Sequence, residues 1–200
     1  MTPKSNTDHA SGGVYETGIV EAPARNCFAV LVDNEPGVLA RVIGLFSGRG
    51  YNIESLTVDE VDRENKLSRI TIVTSGPPMI INQIRAQLGR LVPVRQVVNL
   101  TEQGKFIECS LALVKIVGDT KKRAEAMRIA KEFGARTLDE AGSSVVFELT
   151  GTIDEIDRFI AQLRPLGLAE IARTGSTAIA CGEAALGQMS EDRRRITGNN

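Results

Sequence analysis

The sequence predicts an α+β fold of two tandem ferredoxin-like βαββαβ units, and three observations carry that expectation. Apolar residues switch between strand-like runs and helical spacing in the order βαββαβ from Asn26 to Leu100. A similar order returns about 80 residues later, too long an offset for a solenoid repeat and of the right size for a duplicated small domain. A strand–helix–strand crossover is right-handed, which puts both helices of each unit on one face of its sheet.

The first unit opens with Cys27-Phe28-Ala29-Val30-Leu31-Val32, a short apolar run that reads as a buried strand ending in the turn residues Asp33 to Gly37. Val38, Leu39, Val42, Ile43, Leu45 and Phe46 then recur at helical spacing, and Gly48-Arg49-Gly50 supplies a stop. Ile53 to Asp59 reads as a strand, Glu60 to Leu67 as a hairpin loop, and Ser68 to Thr74 as the returning strand. Gly76-Pro77-Pro78 opens a second helix, because proline is tolerated where the first N–H groups lack partners anyway. Its apolar face is Ile80, Ile81, Ile84, Leu88 and Leu91, and Val94 to Leu100 closes the unit as a strand.

In the second unit Ile107 to Val117 is strand-like, and Gly118-Asp119-Thr120 leads into a helix carrying Ala126, Ile129, Ala130 and Phe133 before Gly134 stops it. Ala135 to Glu140 and Ser144 to Gly151 read as a hairpin around Gly142. Thr152-Ile153-Asp154-Glu155 has the spacing of a capping box and starts a helix with Ile156, Phe159, Ile160 and Leu163 inward. Leu168 to Ile179 is expected as one last extended stretch. The resulting divisions are a flexible leader over 1–25, a first domain over 26–100, a polar linker over 101–106, a second domain over 107–186 and a polar tail over 187–200.

Lysine plus arginine (24) nearly balances aspartate plus glutamate (25), which offers no general attraction to nucleic acid or anionic lipid. No apolar stretch approaches the ~20 residues that span a bilayer, and the first residues lack the apolar core of a secretory signal. The three cysteines, Cys27, Cys109 and Cys181, are sparse, odd in number and far apart, which points to reduced thiols in a cytoplasmic protein.

A search for catalytic chemistry finds little. The sole histidine, His9, lies in the expected leader, and no His-Cys-Asp cluster has metal-ligand spacing. Each cysteine sits in an apolar segment, where a buried small hydrophobe is the expectation. The glycines of Gly44 to Gly50 follow a helix instead of opening one, so they form neither a P-loop nor a dinucleotide fingerprint. RNA-recognition modules share the βαββαβ order but stack bases on exposed aromatics of their central strands. The strands Ile53–Val58, Ser68–Thr74 and Ile107–Val117 contain no aromatic residue.

One segment looks built for a ligand. Between the first strand and the first helix, Asp33 to Leu39 places Pro36 and Gly37 at a helix start, where the N–H groups around Gly37, Val38 and Leu39 can bind a carboxylate. Asn34 offers both an amide oxygen and an amide nitrogen, which suits the two poles of an α-amino acid. Asn52 and Ile53 add a second polar entrance after the helix. Ordinary turn and cap chemistry accounts for the same residues, and local physics does not choose between the two readings.

The run from Asp33 to Val58, DNEPGVLARVIGLFSGRGYNIESLTV, resembles the regulatory (small) subunit of acetolactate synthase, as do LSRITI at Leu67–Ile72 and LVKI at Leu113–Ile116. The likeness extends from about Asn26 to Gly187. It implies an N-terminal ACT domain, which is a ligand-binding form of the ferredoxin-like fold, followed by an ACT-like domain. It implies a non-catalytic chain without cofactor that binds a catalytic subunit using thiamine diphosphate, Mg and FAD, raises its activity and confers feedback inhibition by valine. Carried over by position, Asn34, Gly37, Val38 and Leu39 hold the amino acid from one chain. Asn52 and Ile53 complete the pocket from the partner chain of an ACT-domain dimer. Three rivals share the fold without that role: an amino-acid sensor acting on transcription, a ferredoxin-like enzyme and a structural adaptor.

Overall fold

The strand that opens the first unit, β1 (Ala24–Asp33), is buried on both of its faces from Asn26 to Val32. Phe28, Val30 and Val32 point to one side and Cys27, Ala29 and Leu31 to the other, because side chains alternate along a strand. A strand so placed must be central and must be covered twice. The structure is a computed structural model that describes residues 22–183 and 185–187. The expected leader lies outside the described residues except for 22–25, of which Ala24 and Arg25 belong to β1; His9 is outside them, as is the tail beyond Gly187.

One face of the first sheet is covered by helices. The chain runs through α1 (Val38–Arg49), β2 (Ser55–Asp62), β3 (Leu67–Gly76), α2 (Pro78–Leu88) and β4 (Val94–Asn99), and the sheet order is β2-β3-β1-β4 with antiparallel neighbours. Val42 and Phe46 of α1 and Ile84 and Leu88 of α2 pack on Phe28, Val30, Ile70 and Ile72. The hairpin loop expected over Glu60 to Leu67 is shorter than read, because β2 continues to Asp62 and β3 begins at Leu67. Asp62 closes the turn by accepting from the Asn65 N–H (3.0 Å) and its side-chain amide (2.7 Å).

The second unit repeats the plan with β5 (Phe106–Val117), α4 (Thr120–Glu132), β6 (Arg136–Ala141), β7 (Ser144–Gly151), α5 (Ile153–Leu163) and β8 (Leu168–Arg173), in the order β6-β7-β5-β8. The capping box at α5 is present: Thr152 Oγ1 accepts from the Glu155 N–H, and the Glu155 carboxylate accepts from the Thr152 N–H. Ile156, Phe159, Ile160 and Leu163 all face the core formed by Ala112, Val114, Ile116 and Phe147.

Three expectations are corrected. The polar linker contains a helical turn, α3 (Leu100–Gln103), because Leu100 is buried under the first sheet and the Asn99 side chain caps the turn by accepting from Thr101 N–H. The last extended stretch is two strands: the chain leaves β8 at Arg173, turns through Thr174–Ser176 and forms β9 (Thr177–Ala180). Of the three cysteines only Cys27 is fully buried, whereas Cys109 and Cys181 are half-buried. Burial pushes the Cys27 thiol up to about 11, so it stays protonated at neutral pH.

The sheet order makes β1 and β3 the central pair of the first unit, and β1 does carry a ring, Phe28. That ring is fully buried against the helices. Among the described residues, no helix is long and apolar enough to cross a membrane.

The break before β9 has a physical cause. β9 pairs with the first half of β5 (Phe106↔Ala180 to Cys109↔Thr177), leaving the second half of β5 to β7 and β8. β9, with α3, thereby covers the face of the first sheet opposite α1 and α2, where Ala178 joins Cys27, Ala29, Val73, Val98 and Leu100 in a third core. The turn touches β2: Thr57 Oγ1 donates to Ser176 O (2.6 Å) and Ser176 N–H donates to Ser55 Oγ (2.7 Å). A Cβ on Gly175 would lie 2.7 Å from the Leu56 carbonyl oxygen, so only glycine fits. Arg25 grips Glu108 bidentately at 2.8 and 2.5 Å, and Arg69 donates to the Ala178 carbonyl.

Two outcomes follow from this junction. Gly175→Ala forces the turn off β2 and is expected to lower unfolding stability by about 1–3 kcal/mol, the usual range for overpacking; an unchanged denaturant midpoint would contradict the close approach. The Arg25 guanidinium holds the Glu108 carboxyl below its ordinary 4.5. The stability it contributes is therefore present above that ordinary value and fades as pH falls through the lower folded one. The stability difference between the native chain and Glu108→Gln is expected to shrink on acidification below 4.5, which pH-dependent urea melts measure.

Candidate functional site

The loop that joins β1 to α1 is shaped by Gly37, which has φ 83° and caps α1 in the left-handed conformation without any side-chain hydrogen bond. Glycine adopts that conformation at no steric cost. No acidic residue sits in the first turn of α1, so no carboxylate of its own screens the partial positive charge of the helix start. Val38 anchors the turn in the core and Leu39 stays more than a third exposed.

The hydrogen bonds of this loop separate the residues that are used from those that are free. Asn34 is tied down at both ends, its N–H donating to Lys66 O (2.7 Å) and its side-chain amide to Glu60 Oε1 (2.9 Å). Its side-chain oxygen is left as the atom that can accept. Val38 N–H turns back to Glu35 O at 3.3 Å, so of the amides read as carboxylate donors it is already engaged. The N–H groups of Gly37, Leu39 and Ala40 find no acceptor among the described residues. Ala40 was not among the residues read from the sequence, since an alanine side chain marks nothing there and its open N–H belongs to the backbone. Asp33 is neutralised by Arg95, whose Nε donates to Oδ1 at 2.7 Å.

Asn52 and Ile53 lie elsewhere. Asn52 O accepts from Thr74 Oγ1 (2.6 Å) at the far end of β3, while Asn34 is bonded to Lys66 at the near end. Eight residues of extended chain separate those two anchors, about 26 Å at the usual rise. Within one chain, then, Asn34, Gly37, Val38 and Leu39 cluster, and Asn52 and Ile53 do not join them.

Between the two ends the first unit shows an unpaired edge. Among the described residues β2 pairs only with β3, and Val58 and Val61 on it are exposed, as is Ile43 on α1. Gly44, Ser47 and Gly48 keep the outer surface of α1 low. An edge strand with apolar side chains beside a smooth helix is a template for pairing with another sheet edge.

Known proteins resemble this chain along most of its length. The family described as AHAS small subunit-like ACT domain matches residues 28–96, and the small subunit of acetolactate synthase family matches residues 110–182. A probable acetolactate synthase small subunit of Archaeoglobus fulgidus is 41% identical over 158 residues, covering 79% of this chain and 98% of that protein. The acetolactate synthase isozyme 3 small subunit of Escherichia coli is 41% identical over 160 residues, covering 80% of this chain and 97% of that protein. The crystal structure of the acetolactate synthase small subunit from Thermotoga maritima superposes with a TM-score of 0.73 at 32% identity, covering 80% of this chain and 99% of that one.

The loop geometry yields its own expectation. A Cβ on Gly37 would meet nothing within 4 Å, so substitution there costs conformational strain and no clash. Gly37→Ala is expected to lose about 1–2 kcal/mol of stability, and Gly37→Asn clearly less, because asparagine visits the left-handed region more readily. Equal losses in chemical denaturation would show that the conformation is not what glycine supplies.

Proposed function

From the premise that this chain belongs to the acetolactate synthase small-subunit family, we propose that it is the regulatory partner of that synthase's catalytic subunit in the cytoplasm. In this reading it raises the partner's activity and confers feedback inhibition by valine. It performs no chemistry of its own, and the thiamine diphosphate, Mg and FAD of the reaction reside in the catalytic subunit. Among the described residues, no group of three or more His, Cys, Asp or Glu side chains could hold a metal ion.

The observation that carries the reading is the open helix start at Gly37, with unpaired N–H groups on Gly37, Leu39 and Ala40 beside the Asn34 side-chain oxygen. The amides suit the valine carboxylate and the oxygen suits its ammonium. What one chain lacks is the far wall, because Asn52 and Ile53 sit at the other end of β3. A second copy related by a two-fold axis, paired antiparallel along β2, would bring its Asn52 and Ile53 against the first chain's Gly37. Val58 and Val61 on that edge, and Leu39 and Ile43 on α1, are the apolar surface such a dimer covers.

Valine bound across two chains is sensitive to how they are arranged. If one arrangement binds it better, valine shifts the pair toward that arrangement, and couplings of this kind amount to about 1–3 kcal/mol. The second unit is assigned to contact with the catalytic subunit. Excising it is not a clean test, since a cut near Gly104 also strips β9 from the first sheet and lays bare Cys27, Ala29 and Val98.

The deciding measurement is synthase activity across a valine titration, with the catalytic subunit alone and with this chain added. Gly37→Asp puts a carboxylate where the valine carboxylate belongs, and a variant that still copurifies with the catalytic subunit is expected to lose valine inhibition. Asn52→Ala is expected to weaken calorimetric valine affinity about 10-fold, the worth of one hydrogen bond in the upper part of its range. Full valine sensitivity in the Gly37→Asp holoenzyme would refute the pocket.

A further inference from the structure

Beneath the first sheet, on the face away from its helices, β9 and the residues after it leave a cavity of about 270 Å³. Its floor is the sheet itself. Arg69 of β3 and Gln96 of β4 both stand opposite Leu31 of β1 and so occupy one row across the strands.

The cavity is lined by polar groups of both kinds, donors and a carboxylate. Arg69 spends one donor on the Ala178 carbonyl and makes no ion pair among the described residues. Asp59, its cross-strand neighbour on β2, instead accepts from the Glu60 N–H at 2.9 Å. A guanidinium has five N–H donors, so Arg69 has several left, and its partial burial makes the lack of an anion costly. Gln96 Oε1 accepts from the Gly187 N–H (2.8 Å), which turns the role of donor over to its NH₂ group. Glu183, on the chain segment that follows β9, lines the cavity as well. Val98, Leu100 and Ile179 add aliphatic surface to the lining.

A donor pair, a carboxylate and an aliphatic wall lining one cavity are the complement of one kind of small molecule. We propose that this cavity binds a small aliphatic α-amino acid, with its carboxylate on Arg69 and the Gln96 amide, its ammonium on Glu183 and its side chain against Val98 and Ile179. The site is separate from the loop at α1 and is reached from the other face of the sheet. Its floor belongs to the first unit and its roof to the chain that follows the second, so occupancy strengthens the junction between them.

Calorimetry on the full-length chain carrying Gly37→Asp, which removes the α1 loop as a competing site, tests this with two probes. L-leucine carries both poles, and isocaproate has the leucine skeleton without the ammonium group. Leucine is expected to bind saturably, and Arg69→Met to weaken both probes at least about 10-fold, the loss of a charge-assisted hydrogen bond. Arg69→Met also releases the Ala178 carbonyl and so disturbs β9. Glu183→Gln leaves that contact intact and is expected to weaken leucine while tightening isocaproate. The opposite signs distinguish an ammonium contact from a structural disturbance. Absence of saturable leucine binding in the Gly37→Asp chain, or a Glu183→Gln effect that is nil or of the same sign on both probes, overturns the proposal.

Discussion

The docking of β9 under the first sheet is the constraint on which the rest of the molecule depends. β1 is apolar on both faces, and the long helices α1 and α2 cover only one of them. A sheet left half-covered in this way would present Cys27, Ala29, Val73 and Val98 to water. β9 covers them, and because β9 is also paired to β5, the second unit cannot drift from the first without exposing that surface. The polar clasp around it (Arg25 with Glu108, Thr57 with Ser176, Arg69 with Ala178) sets the register of the contact, while burial of the apolar face supplies the driving force.

That docking also makes β5 serve two sheets. Phe106 to Cys109 pair with β9, and Ser110 to Val117 with β7. The even-numbered side chains follow one face throughout, from Phe106 under the first unit to Ala112, Val114 and Ile116 in the second core. One continuous strand is stiffer than a linker. A displacement of the first unit would therefore be carried to the second through a strand and a packed junction.

The loop at α1 was legible in the sequence because its determinants are local. Pro36 and Gly37 announce a helix start, and Asn34 announces a polar side chain beside it. The state of each backbone amide was not legible: Val38 turns back to Glu35 and Ala40 is left open, and both depend on the φ of Gly37. The separation of Asn52 from Asn34 was likewise a matter of strand length and register along β3, although the family resemblance had already placed the two on different chains.

By itself the sequence determined the elements whose causes lie within a few residues. Among these are the βαββ alternation that opens each unit, the Thr152–Glu155 capping box, the stops at Gly50 and Gly134, and the inward faces of α2, α4 and α5, whereas Leu39 and Ile43 of the α1 stripe are exposed. Tertiary structure alone decided the split of the last extended stretch into β8 and β9, the burial of Leu100 in a helical turn, and the cavity around Arg69. The reason is range: Thr57 and Ser176 are 119 positions apart, Arg69 and Ala178 109. No local periodicity records that a glycine at position 175 must pass within contact of the Leu56 carbonyl oxygen.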